Sequence, residues 1–516
     1  MKALKGLFVY IGIVLGIILA IAILLFGIMY FVPSFRIFGV GVTHADKTVE
    51  GDPIDFSEYS GYSSIELSVS SNKVPVIVVA SSEVDNIQYD FDLSTFGISF
   101  DITEYRVIKD VEVKDGVLKI GLSVTEPNGW ISMGGSEVKI TVPTSRKFAL
   151  VFNTQSGDIY IGGTDSEEVN ISKLTATTTS GDLTYIKNSK DESVTELSLS
   201  ALNLTTTSGR MNFKQVATLK VSTPIRLSAK RGEFEFADIK GSMDIRGTGV
   251  GLIASNITCD TDGFTFMSDN GQFRVDSLSC PSGAENTIIT DTCSVNITTL
   301  SGKTGIITTS GSINIEQTND NTILQSEHGA INIKKAYKDI NVLTHYGDIT
   351  VDSYEKNGTF TSKRGNIVVN STGDYEHGLA TFIENVDGNI TVVNKVNKLR
   401  INTLGSSKVT VTYEEVKNSL DADKTFEHSV VLNEKGSAVV YLPSIISQPF
   451  KFMATGNISG SISGLGNDEY MGNTVVAKDE YQYYPNNKEE NMTGSNYSCF
   501  FKFHGTIEFK SYVYKG

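Results

Sequence analysis

Apolar and polar residues alternate in short segments through the middle of the chain, and most of these segments follow a glycine. The pattern Gly-x-apolar-x-apolar begins at Gly311, Gly329, Gly347 and Gly365, at intervals of 18 residues, and Cys293 holds the same position 18 residues earlier. We call this position the slot. Thirteen slots occur, spaced 18 to 28 residues apart, the others being Gly157, Gly181, Gly209, Gly232, Gly251, Gly271, Gly388 and Ser407.

The residues after each slot predict short strands with one buried face. Two residues past the slot all thirteen residues are apolar, and four past it only Ser255 is polar. This is period-2 alternation, typical of strands. A repeat of this length cannot bury its own apolar face, so each coil must stack on the next. A glycine at the slot suits either a positive φ or the close approach of stacked backbones.

We therefore predict an all-β fold, a single-stranded parallel β-helix. Right-handed winding is favoured, because parallel crossovers are overwhelmingly of that hand. A set of antiparallel sandwiches and a left-handed hexapeptide helix are the alternatives. The open ends of such a stack need covering, so the longer strands on either side of the repeats are predicted to form β caps.

An apolar segment near the start of the chain predicts a transmembrane helix. No charged residue occurs from Gly6 to Phe35, and residues 7–32 are almost wholly apolar, which is more than the ~20 residues that span a bilayer. A cleaved signal peptide is the alternative. Lys2 and Lys5 precede the segment, so the positive-inside rule places the start of the chain in the cytoplasm and the bulk outside it. The predicted location is the cell membrane, with a single pass.

These patterns divide the chain into six predicted segments. The predicted order is a cytoplasmic tail at 1–6, a transmembrane helix at 7–32, a linker at 33–59, an N-terminal β cap at 60–150, β-helix repeats at 151–411 and a C-terminal β cap at 412–516.

Composition argues against nucleic-acid binding and against a disulfide-stapled fold. The 44 basic and 59 acidic residues give a net charge of −15, which leaves no basic surface to neutralise phosphates. The four cysteines are too few for a stapled scaffold and have no metal-binding spacing. Cys259 and Cys280 follow neighbouring slots at similar distances and are predicted to face each other, as a disulfide or as buried thiols.

The entry into the repeats resembles a known family. Val138-Lys-Ile-Thr-Val-Pro143, then Phe148, then Thr154-Gln-Ser-Gly157-Asp-Ile-Tyr-Ile and Thr179-Ser-Gly181-Asp-Leu are similar to the signature of the DUF4097/DUF2807 group of adhesin-type proteins. The resemblance covers roughly residues 60–415 and implies a single-stranded β-helix, a cell-envelope location and an adhesin role. It supplies no catalytic residues, and the long C-terminal region departs from it.

Residues with equal offset from the slot should stack on neighbouring coils, which brings candidate site residues together. Two residues before the slot, Glu327, His345 and Lys363 follow one another, and His328 lies one residue away. The column of Glu327, His345 and Lys363 is a candidate ligand-binding surface, in which Glu327 and His345 would form an acid/base pair or half of a metal site. The alternative is an exposed charge ladder.

Two further columns are polar. Asp158 and Asp182 suit acid/base chemistry or calcium, or alternatively turn formation. The other column lies three residues past the slot and consists of Asn296, Asn314 and Asn332. It predicts an outward-facing asparagine ladder, which is either structural or glycan-binding.

The leading functional hypothesis is a membrane-anchored cell-surface protein that acts in adhesion or envelope structure. No Walker loop, HExxH or Gly-x-Ser-x-Gly motif occurs, so we expect no cofactor, no metal and no catalytic residues. The expected partners are the membrane and a glycan, cell-wall component or envelope protein. The alternatives are a polysaccharide-cleaving β-helix enzyme and an envelope-stress or assembly factor that works through a membrane partner.

Overall fold

The protein is described from a computed structural model. The residues that the structure describes are 2–32, 35–37, 39–99, 106–125, 129–134, 136–163, 166–187, 196–372, 380–394, 398–413, 429–432, 436–443, 450–454, 457–461, 475–476, 480–483, 500–503 and 506–512.

One long helix precedes the strands. Helix α1 begins at Lys2 and ends at Phe31, and its 22 residues from Tyr10 to Phe31 are long and apolar enough to cross a membrane. Its apolar side chains lie open to the surroundings; Leu19, for example, is 62% exposed. Because so much apolar surface is unfavourable in water, the helix fits a membrane anchor or a signal sequence.

Short strands make up most of the described residues, and they divide between two compact units, Met1–Thr223 with Gly232–Ala237, and Pro224–Arg231 with Asp238–Gly516. The first fifteen strands belong to unit 1, which also holds a 3-10 helix at Phe56–Glu58. Their bounds are β1 Gly41–Glu50, β2 Ser64–Ser71, β3 Val76–Ser81, β4 Gln88–Ser99, β5 Arg106–Lys114, β6 Val117–Thr125, β7 Gly129–Gly134, β8 Glu137–Pro143, β9 Phe148–Thr154, β10 Ile159–Gly162, β11 Ile171–Thr178, β12 Leu183–Ile186, β13 Glu196–Leu199, β14 Ala201–Thr206 and β15 Arg210–Val221.

Unit 2 holds the later strands, except that β17 is shared between the units. Their bounds are β16 Ile225–Ala229, β17 Glu233–Lys240, β18 Met243–Thr258, β19 Phe264–Ser279, β20 Glu285–Thr290, β21 Val295–Ser301, β22 Lys303–Thr308, β23 Ile313–Thr318, β24 Thr322–Ser326, β25 Ile331–Ala336, β26 Ile340–Thr344, β27 Ile349–Tyr354, β28 Gly358–Ser362, β29 Ile367–Val369, β30 Ala380–Asn385, β31 Ile390–Asn394, β32 Lys398–Thr403, β33 Lys408–Tyr413, β34 Ser429–Leu432, β35 Ser437–Pro443, β36 Phe450–Ala454, β37 Asn457–Ser461, β38 Val475–Val476, β39 Glu480–Tyr483, β40 Phe500–Phe503 and β41 Thr506–Tyr512.

The strands of unit 1 stack as parallel coils. One side of the stack runs β6–β2–β9–β11–β14, and the next side runs β8–β3–β10–β12–β15. At the outer edge, β5 pairs antiparallel with β6 and β4 pairs antiparallel with β8. The coil formed by β2 and β3, although earliest in the chain, therefore lies second in the stack.

Unit 2 repeats the arrangement over many more coils. One side runs from β16 through β18, β19, β20 and every second strand to β34, then β40 and β36. The next side runs from β19 through β21 and every second strand to β35, then β41 and β37. The fold is a β-solenoid of about 11 turns, which confirms the predicted parallel β-helix; its handedness stays a prediction.

The pairing register confirms the slot alignment in the regular region and corrects it at one coil. Ile313 pairs with Ile331, and Ile331 with Ile349, so residues 18 apart lie on neighbouring coils. The assignment of Gly251 as a slot is wrong, because Val250 is the residue opposite Gly271. Leu252 and Ala254 consequently point inward and are buried, whereas Ser255 is exposed, and the single polar exception in the pattern disappears.

Close backbone contact, rather than unusual φ, explains the slot glycines. A Cβ on Gly329 would lie 2.0 Å from the carbonyl oxygen of Gly311, and one on Gly347 would lie 2.1 Å from that of Gly329. Among the described slot glycines only Gly271 has a positive φ. Of the two predicted reasons for glycine, the close approach of stacked coils is therefore the general one.

Candidate ligand-binding surfaces

A groove runs across five neighbouring coils of unit 2, on β19, β21, β23, β25 and β27. It is open to solvent and has a volume of about 380 Å³. Its floor is the column three residues past the slot, where the strand turns its side chains outward. We call it the asparagine groove and define it by Arg274, Asn296, Asn314, Asn332 and Thr350.

The three asparagines form the predicted ladder. Asn314 Nδ2 donates to Asn296 Oδ1 at 2.9 Å, and Asn332 Nδ2 donates to Asn314 Oδ1 at 2.9 Å. An amide offers two N–H donors and two lone pairs, and each ladder bond uses one of each. The groove therefore presents further donors and acceptors at the spacing of the coils, ~4.8 Å.

The walls of the groove carry charges of both signs. Lys334 Nζ lies 2.5 Å from Glu316 Oε1, and Asn370 Nδ2 donates to Asp352 Oδ1 at 2.9 Å. Arg274 and Asp276 close the end formed by β19. Two cations, Arg274 and Lys334, and three carboxylates, Asp276, Glu316 and Asp352, line the groove. Because the two signs are nearly balanced, the groove has no strong net preference for an anion or a cation.

The predicted column of Glu327, His345 and Lys363 lies on successive coils but does not form a bonded cluster. The residues just before these three, Ser326, Thr344 and Ser362, are paired in register, which places the column as expected. All three residues are described by the structure, and no ion pair of 4.0 Å or less joins any two of them. Ligand binding by this column stays a prediction.

The neighbouring column brings three planar side chains together. The rings of His328 and Tyr346 stack with centroids 5.0 Å apart and an angle of 18°, and the guanidinium carbon of Arg364 lies 5.7 Å from the Tyr346 ring centroid. We call these three residues the corner stack. The sequence prediction included His328 only as a neighbour and missed the row, although these residues also recur every 18 positions.

The acidic pair Asp158 and Asp182 caps backbone groups between coils. Asp158 Oδ1 accepts a hydrogen bond from the Asp182 amide at 2.9 Å, and Asp182 Oδ1 accepts one from the Arg210 amide at 2.6 Å. Each carboxylate thus satisfies a donor on the next coil, which supports turn formation rather than acid/base chemistry.

Cys259 and Cys280 lie on neighbouring coils, directly after the paired residues Thr258 and Ser279. Both are buried thiols, and Cys280 Sγ donates to Asn286 Oδ1 at 2.8 Å. The hydrogen bond between the two thiols, together with burial, raises the pKa of Cys259. The same hydrogen bond lowers the pKa of Cys280, against the opposing effect of burial. The disulfide stays a prediction, and Cys499 lies outside the described residues.

No group of three or more His, Cys, Asp or Glu side chains that could hold a metal ion occurs within the searched, described part of the chain. The two candidate surfaces are the asparagine groove, whose amides suit hydrogen bonding, and the corner stack, whose rings suit stacking.

Two segments of the chain match the model of the Toastrack DUF4097 family, residues 98–251 and residues 221–393. No curated protein matches the chain. A solved structure of a "putative cell adhesion protein" from Clostridium sporogenes ATCC 15579 is similar at 12% sequence identity with a TM-score of 0.27, over 42% of this chain and 100% of that one. The two family matches together extend over residues 98–393, more than half of the 516 residues. The chain therefore belongs to the Toastrack DUF4097 family.

Proposed function

We propose that this chain is a membrane-anchored, extracytoplasmic adhesion protein that binds an uncharged polysaccharide in the asparagine groove. The observation that carries this proposal is the bonded ladder of Asn296, Asn314 and Asn332 along a concave surface. Membership of the Toastrack family and the exposed apolar helix α1 support the adhesin-like part of the proposal.

The chemistry of the ladder suits a hydroxyl-rich polymer. Sugar hydroxyls donate and accept hydrogen bonds, and amide groups complement both functions. The ladder bonds hold each amide in one orientation, so less rotamer entropy is lost when a ligand binds. A repeating ligand can use the same contact on each coil, and weak single contacts then add over several sites.

The charges around the groove favour a neutral ligand. Glu316 and Lys334 already form an ion pair, so an anionic polymer would have to compete with a carboxylate in the wall. Like-charge juxtaposition of that kind is costly. A neutral polysaccharide meets no such penalty.

The proposed anchoring follows from helix α1 and its flanking charges. Lys2 and Lys5 precede the apolar residues and only Arg36 closely follows them. The positive-inside rule then leaves the solenoid on the outer side of the membrane, where a polysaccharide ligand is available.

The test is binding of neutral polysaccharides to the full chain in a detergent that has no sugar headgroup. The probes are immobilised, uncharged hexose and N-acetylhexosamine polymers. The double variant Asn314→Ala with Asn332→Ala should bind at least about tenfold more weakly, because two good hydrogen-bonding sites at ~1 kcal/mol or more each are lost. Asn341→Ala is the matched control, since Asn341 is an exposed asparagine on β26 outside the groove.

Two results would contradict the proposal. One is equal binding of the double variant and the intact chain to every neutral polymer. The other is release of shortened sugar products during incubation, which would favour the polysaccharide-cleaving alternative.

A further inference from the structure

The corner stack lies directly before the slot on three neighbouring coils of unit 2. The Tyr346 amide donates to the Glu327 carbonyl at 2.8 Å, and the Arg364 amide donates to the His345 carbonyl at 3.0 Å. These bonds join neighbouring coils at the corner itself. The three planar groups are therefore held at the coil spacing before any ligand arrives.

Tyr346 presents an exposed aromatic ring at the surface of unit 2. It is 47% exposed, whereas Tyr354, eight residues later, is 1% exposed. One face of its ring stacks near His328, and the ring of His345 meets it at 88° with centroids 6.4 Å apart. A preorganised, exposed aromatic ring beside polar groups is a typical recognition feature.

Two cations lie at one end of the row without a carboxylate partner. Arg364 and Lys363 are both exposed, and neither has an ion pair of 4.0 Å or less with another described residue. Three carboxylates occur nearby in sequence or column. Glu327 directly precedes His328 and lies two coils from Arg364. Asp348 accepts from the Asn366 amide at 2.7 Å. Asp387 follows Arg364 on the next coil, where its amide donates to the Lys363 carbonyl at 2.9 Å.

We propose that the corner stack binds an acidic saccharide, of the class that carries a carboxylate on a sugar ring. The apolar face of the sugar packs on Tyr346 and His328. Its carboxylate pairs with the guanidinium of Arg364, whose fork of N–H donors matches a carboxylate in two-point geometry, and Lys363 adds a second positive charge.

This site differs from the asparagine groove in both position and chemistry. The groove offers neutral amides beside charges of both signs, and the corner stack offers a ring beside two cations that have no ion pair with another described residue. The proposal therefore does not depend on neutral polysaccharide binding in the groove.

The experiment is calorimetric titration of the full chain, in a detergent without sugar headgroups, with an oligogalacturonate. Tyr346→Ala should weaken binding at least about tenfold, because the stacking surface is lost, while Tyr346→Phe should stay within about twofold. Arg364→Gln should also weaken binding and reduce its dependence on salt. Tyr337→Ala is the matched control, since it removes another tyrosine beside a cation, with Lys335 Nζ 4.2 Å from its ring centroid.

Other probes separate the two proposals and test the role of the ring. The double variant at Asn314 and Asn332 should bind oligogalacturonate as the intact chain does. Inorganic polyphosphate should bind more weakly than oligogalacturonate and should not respond to Tyr346→Ala. Equal binding of oligogalacturonate by Tyr346→Ala and the intact chain would overturn the proposal. Tighter binding of polyphosphate would also overturn it, because charge alone would then explain the affinity.

Discussion

At the scale of single residues, the slot glycines show how closely the coils approach. A Cβ on Gly329 would lie 2.0 Å from the oxygen and 2.6 Å from the carbon of the Gly311 carbonyl. Both of these are backbone atoms, which cannot rotate away as a side chain can. An alanine at such a slot must therefore push two coils apart, and the inter-coil hydrogen bonds beside it are strained.

We expect Gly329→Ala to lower the free energy of unfolding by about 1–3 kcal/mol, as overpacking does. Gly305→Ala is the control, because a Cβ there meets nothing within 4 Å and a strand interior gains ~0.5–1 kcal/mol when glycine becomes alanine. The measurement is the midpoint of urea unfolding for each variant. Equal midpoints for the two variants would contradict the close-approach explanation.

Cys293 occupies a slot position, and its thiol should lower the free energy of unfolding when the pH becomes alkaline. Burial raises the pKa of its thiol to about 11, from 9.0. The folded state therefore favours the protonated thiol, and this contribution is fully present below pH 9 and is lost as the pH rises through 11.

We expect the intact chain to lose roughly 2 kcal/mol more than Cys293→Ala between pH 8 and pH 11, since one pKa unit corresponds to ~1.36 kcal/mol. The measurement is urea unfolding at both pH values with a reductant present. Buried tyrosines such as Tyr354 have raised pKa values in both proteins, so their effect cancels. Parallel losses in the two proteins would contradict the assignment.

At the scale of elements, buried hydroxyl groups stabilise the corner that joins the two strands of a coil. Thr344 Oγ1 donates to the Gly347 carbonyl at 2.7 Å, and the Gly365 amide donates to Ser362 Oγ at 2.8 Å. These hydroxyls lie three residues before a slot and are buried. They satisfy backbone groups that the tight corner removes from the ladder, so the corner needs both the small slot residue and the hydroxyl.

Strand β41 should stabilise its neighbours more than the edge strands do. It pairs in parallel with β35 on one side and β37 on the other, whereas β39 pairs only with β36 among the described strands. Glu508→Pro removes a ladder donor from a strand with two partners. We expect the amides of β35, β37 and β41 to exchange hydrogen faster in this variant.

The control for that prediction is Gln482→Pro in β39, which has one partner. Its effect should stay confined to β39 and the strand beside it. The measurement for both variants is the rate of amide hydrogen exchange in each strand, followed by mass spectrometry. Similar protection of β37 in the two variants would show that β41 is not needed to hold it.

At the scale of the whole molecule, the regular coils could be predicted from the sequence because their spacing is constant. Residues 18 apart share one environment from Cys293 to Gly365, so the buried columns, the asparagine ladder and the slot positions are all visible as a period. Tyr346 and Arg364 follow the same period, but they lie one residue away from the predicted column of Glu327, His345 and Lys363. Which of two adjacent columns forms a cluster depends on side-chain direction at the corner, and spacing does not report that.

Two features of the fold could not be predicted from the local sequence pattern. Val250 rather than Gly251 holds the slot in the long strands β18 and β19. The sequence favoured Gly251 because glycine fills most of the other slots. The order of coils at the ends was also inaccessible, since β2 and β41 alternate like any other strand. Their neighbours are selected by pairing between distant segments, which costs loop entropy and leaves no local signal.

The inserted position of β40 and β41 sets an order of events during synthesis. A chain made from its N-terminus releases β36 and β37 before β40 and β41, yet the later pair lies between the earlier pair and the rest of unit 2. Strands β36 and β37, which form the outermost coil, are therefore synthesised before the strands on which they stack. They cannot reach their final positions until β40 and β41 have been made. Completion of this end is a late, long-range step, of the kind that makes folding slow. Until that step occurs, the edges of β34 and β35 remain open to pair with other strands.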